Sequence, residues 1–280
     1  MTTSIRAWLS LARQKISKNS ETAALDVEVL LANTLNTNRS WLLAHPENLI
    51  DDETLLILDE QLTFLEAGYP LPYLIGTWEF YGLSFQVSDA VLIPRPETEL
   101  IVDESLRWLK IHPHASHALD VGTGTGCIAI SIAKNHASTH WLAVDVSRPA
   151  LRIAKKNIER YDLQNCIDLV QSNLLMATQH QFDLICANPP YIPTPTFVTL
   201  PVSHWEPRLA LDGGWDGTNT IHRLLEQSVK RLNTPGLLLC EIEETLKEPV
   251  LADASLAFPH ANITILNDLA EKPRLLKIEQ

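Results

Sequence analysis

Over roughly the first 70 residues, apolar positions recur every three or four residues, the period of a helix buried along one face. Ile5, Trp8, Leu9, Ala12 and Ile16 mark one such face, and Ser20 is placed to cap a second helix carrying Leu25, Val29, Leu30 and Leu35. A third long helix opens on Asp51, Asp52 and Glu53, whose charges suit the positive end of a helix dipole. Leu55, Leu58, Leu62 and Leu65 continue its buried stripe. About four short amphipathic helices thus form a small bundle over residues 1–75, read as a structural or substrate-docking domain. The period then changes. Gly68-Tyr69-Pro70-Leu71-Pro72 closes the helical part, and Trp78 to Val91 alternates around Gly82 as a β-hairpin does, giving a connector over residues 76–92. From 93 to 280 short apolar strands alternate with helical stretches. The strands are Ala118 to Val121, Trp141 to Val144, Ile167 to Val170, Leu184 to Ala187 and Leu237 to Ile242, then Ile263 to Leu266 and Leu275 to Ile278. That alternation predicts a mainly parallel, seven-stranded sheet with helices on both faces, an α/β domain of Rossmann-like type.

With 280 residues and 45% of them hydrophobic, the chain has length and core material for two domains. No apolar run approaches the ~20 residues of a membrane-spanning helix, and Met1-Thr2-Thr3-Ser4-Ile5-Arg6 opens no signal peptide, so a soluble cytoplasmic protein is expected. Cys127, Cys166, Cys186 and Cys240 are far apart, form no Cys-x-x-Cys, and read as core thiols. Lys and Arg number 22 against 34 Asp and Glu, a net charge of −12 that repels a phosphate backbone and argues against extended nucleic-acid binding. His112, His114 and His117 precede a strand without a carboxylate or thiol at ligand spacing, so they read as a solvated linker and no metal is expected.

The candidate chemistry lies at two strand ends. Asp120-Val121-Gly122-Thr123-Gly124-Thr125-Gly126 follows the first strand and opens a helix from Cys127, and its glycines let a ligand approach the backbone. The dinucleotide fingerprint would put its third glycine at Cys127 rather than Gly126, which weakens a nicotinamide reading. Asp145 ends the next strand, 21 residues beyond Gly124, where an acid accepts hydrogen bonds from both hydroxyls of a ribose. Asn188-Pro189-Pro190-Tyr191 follows the fourth strand. Two prolines end a ladder and free backbone carbonyls, and Asn188 adds a side-chain acceptor. The tetrapeptide can therefore hold both hydrogens of a planar amine, with Tyr191 stacking on the attached group. An ordinary strand-to-loop stop is the competing reading. Neighbouring strand ends share one crevice, so loop and clamp should face each other across it.

GTGTG, Asp145, NPPY, the upstream IPRPETE (Ile93 to Glu99) and the downstream WEPRLALDGGWDG (Trp205 to Gly217) together resemble the peptide chain release factor glutamine methyltransferases, the HemK-like family, over nearly the whole chain. The resemblance implies a class I S-adenosylmethionine methyltransferase domain. Its acceptor would be the glutamine of a Gly-Gly-Gln tripeptide in bacterial release factors. It also implies that Gly122, Thr123, Gly124, Thr125 and Gly126 hold the methionine portion, Asp145 the ribose, and Asn173 and Leu174 the adenine. Asn188 would touch cofactor and substrate, Pro189 supply a backbone carbonyl, and Pro190 and Tyr191 complete the substrate site. Arg95, Glu97 and Glu99 read equally as a helix start or as a wall of the pocket. The chain departs from the family at Asn173, where an acid is common, and at Cys240-Glu241-Ile242-Glu243-Glu244, where a glycine often follows the glutamate. A monomer acting on a protein partner is expected. Competing readings are methylation of an exocyclic amine on a nucleobase, a nucleoside-binding oxidoreductase, and a non-catalytic adaptor.

Overall fold

The change of period at Gly68 to Pro72 is a change of architecture. A computed structural model describes residues 3–280, with one compact unit ending at Thr77 and a second beginning at Trp78. In the first, β1 (Thr3–Ser4) pairs antiparallel with β2 (Leu49–Ile50), a short ladder that the helical period did not reveal. Around it lie α1 (Ile5–Ile16), α2 (Ala23–Thr34), α3 (Arg39–Ala44), α4 (Asp52–Glu66) and α5 (Leu71–Ile75). Ser4, Asn38 and Asp51 cap α1, α3 and α4 by accepting from the amides of Ala7, Trp41 and Thr54, which satisfies donors the helix cannot. Ile5, Trp8, Ala12 and Ile16 are buried as their spacing predicted, as are Leu58, Leu62 and Leu65. Two expectations are corrected in α2. The helix starts after Thr22, and Ser20 instead accepts from the Thr22 amide and donates to Asp26, so it ties the preceding turn. The buried stripe runs through Val27, Leu30 and Leu31 while Leu25 is exposed, because an apolar stretch this continuous leaves its facing ambiguous.

From the boundary at Thr77 the chain enters the hairpin β3 (Thr77–Phe80) and β4 (Leu83–Gln86). Its turn residues Tyr81 and Gly82 both have positive φ, as a two-residue turn matched to strand twist requires. The strands that follow are β5 (His117–Val121), β6 (His140–Asp145), β7 (Ile167–Gln171), β8 (Phe182–Ala187), β9 (Leu232–Glu241), β10 (Asn262–Asn267) and β11 (Pro273–Glu279). They form one sheet in the order β10-β11-β9-β8-β5-β6-β7, with β11 antiparallel to both of its neighbours. β9 starts five residues before the expected Leu237, since Leu232 pairs with Phe182 ahead of the Pro235-Gly236 irregularity. Along each strand alternate residues serve opposite faces. Ala118, Trp141, Ala143, Leu184 and Cys186 meet α6 (Glu99–Ile111), α7 (Cys127–Asn135) and α8 (Arg148–Arg160). Leu119, Val121, Ile185 and Ala187 meet α11 (Asn219–Ser228) and α12 (Lys247–Ala257). Two short helices, α9 (Thr194–Phe197) and α10 (Arg208–Leu211), lie in the loop after β8. The histidine linker is shorter than expected: α6 runs to Ile111, His112 stacks on Trp108 at 4.1 Å, and β5 already includes His117.

The strand order reverses between β5 and β8, and this sets the crevice. Val121 and Ala187 are register partners at the ends of those two parallel strands, so the residues after them emerge side by side.

Candidate active site

Gly122, directly after β5, has φ +73°, and a Cβ built on it would lie 3.9 Å from the Asn188 carbonyl oxygen. The glycine loop and the Asn-Pro-Pro-Tyr segment are therefore brought together, as their positions in sequence predicted. Gly126 serves another purpose. Its φ is +81°, a Cβ there would sit 3.1 Å from Ile130 Cδ1 and 3.6 Å from Ala154 Cβ, and it faces the α7–α8 packing rather than the cavity. The loop is held from both ends. Gly122 and Thr123 amides share the Val144 carbonyl at 2.8 and 2.9 Å, and the Gly124 amide donates to Asp145 Oδ2 at 3.0 Å. From α8, fully buried Asn157 donates to the carbonyls of Thr125 and Gln86, which links the loop to the hairpin.

Asp145 Oδ1 accepts from the Ser147 amide at 2.8 Å, so each carboxylate oxygen is aimed by one backbone donor and keeps capacity for another. Burial raises its pKa, opposed by those amides. Beneath the loop, Asp120 accepts from the Thr123 hydroxyl at 2.7 Å, and its second oxygen faces the first turns of α7 without closing a hydrogen bond. Burial pushes Asp120 up to about 7. Asn173 Oδ1 accepts from Arg223 at 3.0 Å, and Leu174, at φ +53°, follows it along the same wall.

At the end of β8, Asn188 Nδ2 donates to Thr98 Oγ1 at 3.0 Å. Thr98 in turn donates to Glu241 Oε2 at 2.6 Å, and the Tyr191 hydroxyl donates to Glu241 Oε1 at 3.1 Å. Glu241 ends β9 at 1% exposure, and burial raises its pKa. Burial, then the Glu241 charge, also pushes the Tyr191 phenol upward. Behind the tetrapeptide, the Ile192 amide bonds to Leu211 O, the Gly213 amide to Ile192 O, and Thr194 to Asp212. The downstream glycine-rich segment is thus its backing. Arg95 pairs with buried Glu206, whose other oxygen accepts the Ile93 amide at 3.1 Å. IPRPETE and WEPRLALDGGWDG are therefore joined to each other. Arg95 and Thr98 line the cavity, Pro96–Thr98 form a 3-10 turn ahead of α6, and Glu99 accepts the Tyr81 amide, so the segment is both a helix start and a wall. Thr98 was missed by sequence reasoning, although it lies within a motif already singled out.

These groups surround one cavity of about 450 Å³, lined by Gly122 to Thr125, Asp145, Asn173, Leu174 and Asn188 to Pro190 among others. Gly126 and Tyr191 are the two expected site residues outside its lining. An oriented carboxylate, a glycine cradle and apolar walls from Val146 and Leu174 fit a nucleoside carrying a polar tail. Among the described residues no group of His, Cys, Asp and Glu is placed to hold a metal ion.

Solved structures share this architecture. The catalytic domain of human METTL16 with an RNA hairpin superposes with a TM-score of 0.54 at 19% identity, covering 83% of this chain and 84% of that one. The ribosomal protein L11 methylase of Lactobacillus delbrueckii subsp. bulgaricus gives 0.51 at 19%, covering 70% and 84%. The fold is that of a class I methyltransferase, and a Methyltransferase small domain model matches residues 102–196. Residues 7–76 match the PrmC N-terminal domain. Release factor glutamine methyltransferases of Rhodopirellula baltica and Geobacter sulfurreducens are each 38% identical to it, over 94% and 84% of this chain and 91% and 82% of theirs. The chain belongs to the release factor glutamine methyltransferase family.

Proposed function

We propose that this chain transfers the methyl group of S-adenosylmethionine to the side-chain amide nitrogen of the glutamine in the Gly-Gly-Gln tripeptide of bacterial release factors, supporting translation termination. The observation that carries the reading is the meeting of a glycine loop and an amine clamp, one residue beyond the paired Val121 and Ala187, in one cavity. Bound S-adenosylmethionine supplies an electrophilic methyl group on a sulfonium sulfur. Asp145 accepts from the ribose hydroxyls with the capacity that Gly124 and Ser147 leave free. Gly122 to Thr125 leave room for the methionine portion, Gly126 supports the loop from behind, and Asn173, held by Arg223, borders the adenine with Leu174.

A glutamine amide nitrogen is a weak nucleophile because its lone pair is delocalised, so alignment must supply much of the rate. Asn188 Oδ1 and the Pro189 carbonyl each accept one hydrogen of the NH2 group and aim the nitrogen into the cavity, an ordering effect worth several kcal/mol. The same carbonyl dipoles favour positive charge as it gathers on nitrogen. The N–C bond forms as the S–C bond breaks with its electron pair left on sulfur, and the methylated amide then releases one proton to solvent. Pro190 fixes the backbone of the clamp, and Tyr191, tied by its hydroxyl to Glu241, packs on the substrate amide. The helical unit docks the protein substrate. The net charge of −12 turns the surface away from nucleic acid. No helix among the described residues is long and apolar enough to cross a membrane, and a release-factor substrate fits a monomer working in the cytoplasm.

The test is incubation with methyl-labelled S-adenosylmethionine and, separately, a release factor, the same factor with its Gly-Gly-Gln glutamine changed, and duplex DNA. Label is expected only in the intact factor; label in the altered factor, or in DNA alone, overturns the reading. Asn188→Ala should lose most turnover while cofactor affinity stays within about tenfold, or roughly 1.4 kcal/mol.

A further inference from the structure

The two ends of an Asn side chain have nearly the same shape, so packing alone does not decide which end of Asn188 faces the cavity. The choice decides the chemistry: an oxygen there accepts from a substrate NH2, whereas an NH2 there opposes it donor to donor. Hydrogen-bond polarity must make the choice, and the protein supplies it through two buried residues. Glu241 is 1% exposed and Thr98 2%. An ionised carboxylate can only accept. With Glu241 ionised, the 2.6 Å Thr98–Glu241 contact can only be a hydroxyl donating to a carboxylate, so the single Thr98 proton is committed to Glu241. Thr98 Oγ1 is left to accept, and only the NH2 end of Asn188 can donate to it, at 3.0 Å. Among the described residues Asn188 makes no other side-chain hydrogen bond, so Oδ1 is left for the cavity that the residue lines.

We propose that Glu241, acting through Thr98, is the positioning residue that sets the polarity of the Asn188 clamp. This rests on the clamp reading above and deepens it. Were Glu241 to take a proton, it would donate to Thr98, the Thr98 proton would turn to Asn188, and the amide would present its NH2 to the substrate. The surroundings of Glu241 bear on that ionisation. Arg274 of β11 favours the carboxylate, Glu97 of the 3-10 turn opposes it, and the Thr98 and Tyr191 hydroxyls stabilise it. Cys127 of α7 and Cys240 of its own strand are neutral neighbours, their thiols pushed up by burial. Burial raises Glu241 itself, so its protonation should contribute to an acid limb in turnover, beside any contribution from buried Asp120 and Asp145.

The test compares Thr98→Val, Thr98→Ser, Glu241→Gln and Asn188→Ala in the full chain, reading kcat and KM for a release factor, S-adenosylmethionine affinity, thermal melting and the pH dependence of kcat. Thr98→Val keeps the shape of the side chain and removes the relay, and should lower kcat by roughly ten- to a hundredfold, with cofactor affinity unchanged. Thr98→Ser retains the hydroxyl and should restore most of the rate. Glu241→Gln has one oxygen where Thr98 and Tyr191 each now meet a carboxylate oxygen, so the Thr98 proton is no longer committed by charge; it should lower kcat and remove the part of the acid limb that Glu241 supplies. A Thr98→Val enzyme with full kcat, or a Thr98→Ser enzyme as slow as Thr98→Val, overturns the relay while an inactive Asn188→Ala leaves the clamp standing. An Asn188→Ala enzyme with full kcat removes the clamp reading and the relay with it.

Discussion

Asp120 offers a direct test of what burial does to this site. The carboxyl lies in the central strand at 0% exposure, and a single hydroxyl, Thr123, donates to it. Burial raises it from 3.8 to about 7, the Thr123 hydroxyl and the Ala129 amide only partly oppose this, and the nearby Asp145 charge adds to it. Between those values the native chain holds a proton that the unfolded chain has released, so stability falls as pH rises through the window. At 1.36 kcal/mol per pH unit the whole rise corresponds to about 4 kcal/mol, of which about 3 kcal/mol falls between pH 5 and 8. Asp120→Asn removes the titration and nearly preserves the shape. Urea unfolding of both proteins at pH 5, 6, 7 and 8 should show the variant gaining on the parent by up to about 3 kcal/mol toward the alkaline end. Glu241 titrates in both proteins and cancels in the difference, which reports Asp120 together with its coupling to Asp145. A stability difference that stays constant from pH 5 to 8 would falsify the assignment.

Two glycines of one loop should differ in their effect on binding. Gly126→Ala puts a Cβ at φ +81° against Ile130 and should cost about 2 kcal/mol of stability with cofactor affinity nearly unchanged. Gly122→Ala carries similar backbone strain at φ +73° but meets nothing closer than 3.9 Å and lines the cavity, so beside a stability cost it should weaken S-adenosylmethionine about tenfold in calorimetric titration. Equal effects of the two substitutions on affinity would refute the division. At the Arg95–Glu206 pair, the more exposed partner should matter more. Arg95→Ala strands a buried carboxylate and should cost about 3 kcal/mol at neutral pH. Glu206→Ala frees Arg95 to solvent and strands only the Ile93 amide, costing about 1 to 2 kcal/mol. The reverse order in urea unfolding would refute this.

The parts of the molecule written in the local pattern were the ones legible in sequence. Strands such as Phe182–Ala187 are apolar on both faces and bounded by turn residues, and the chemistry at their ends sits in runs such as Gly122 to Gly126. Parallel pairing then makes strand ends neighbours with no further information. The facing of α2 was not legible, because Leu25, Val27, Val29, Leu30 and Leu31 offer more apolar positions than one face can bury. The polar links were not legible either. Thr98 and Glu241 are 143 residues apart, and Arg95 and Glu206 are 111 apart. Periodicity identifies what is buried; it does not pair one buried polar group with another. An acid at the end of the apolar run Leu237 to Cys240 was a sign that some such partner existed.

The cavity is therefore assembled by two kinds of constraint with different consequences. Its floor is fixed by backbone. Gly122 follows a ladder residue, its amide and that of Thr123 share the Val144 carbonyl, and Asn188 follows the partner of Val121. Those positions depend on the sheet and change only if the sheet changes. The wall from Ile93 to Thr98 has no ladder, and the side chains of Glu206 and Glu241 hold it. Both acids are buried, so each link is strong only while every partner is present. Backbone thus sets where the clamp lies, and side-chain polarity sets what it can accept. A change in the wall can spare the cofactor loop and still alter the clamp, which is why binding and turnover are expected to respond to different residues.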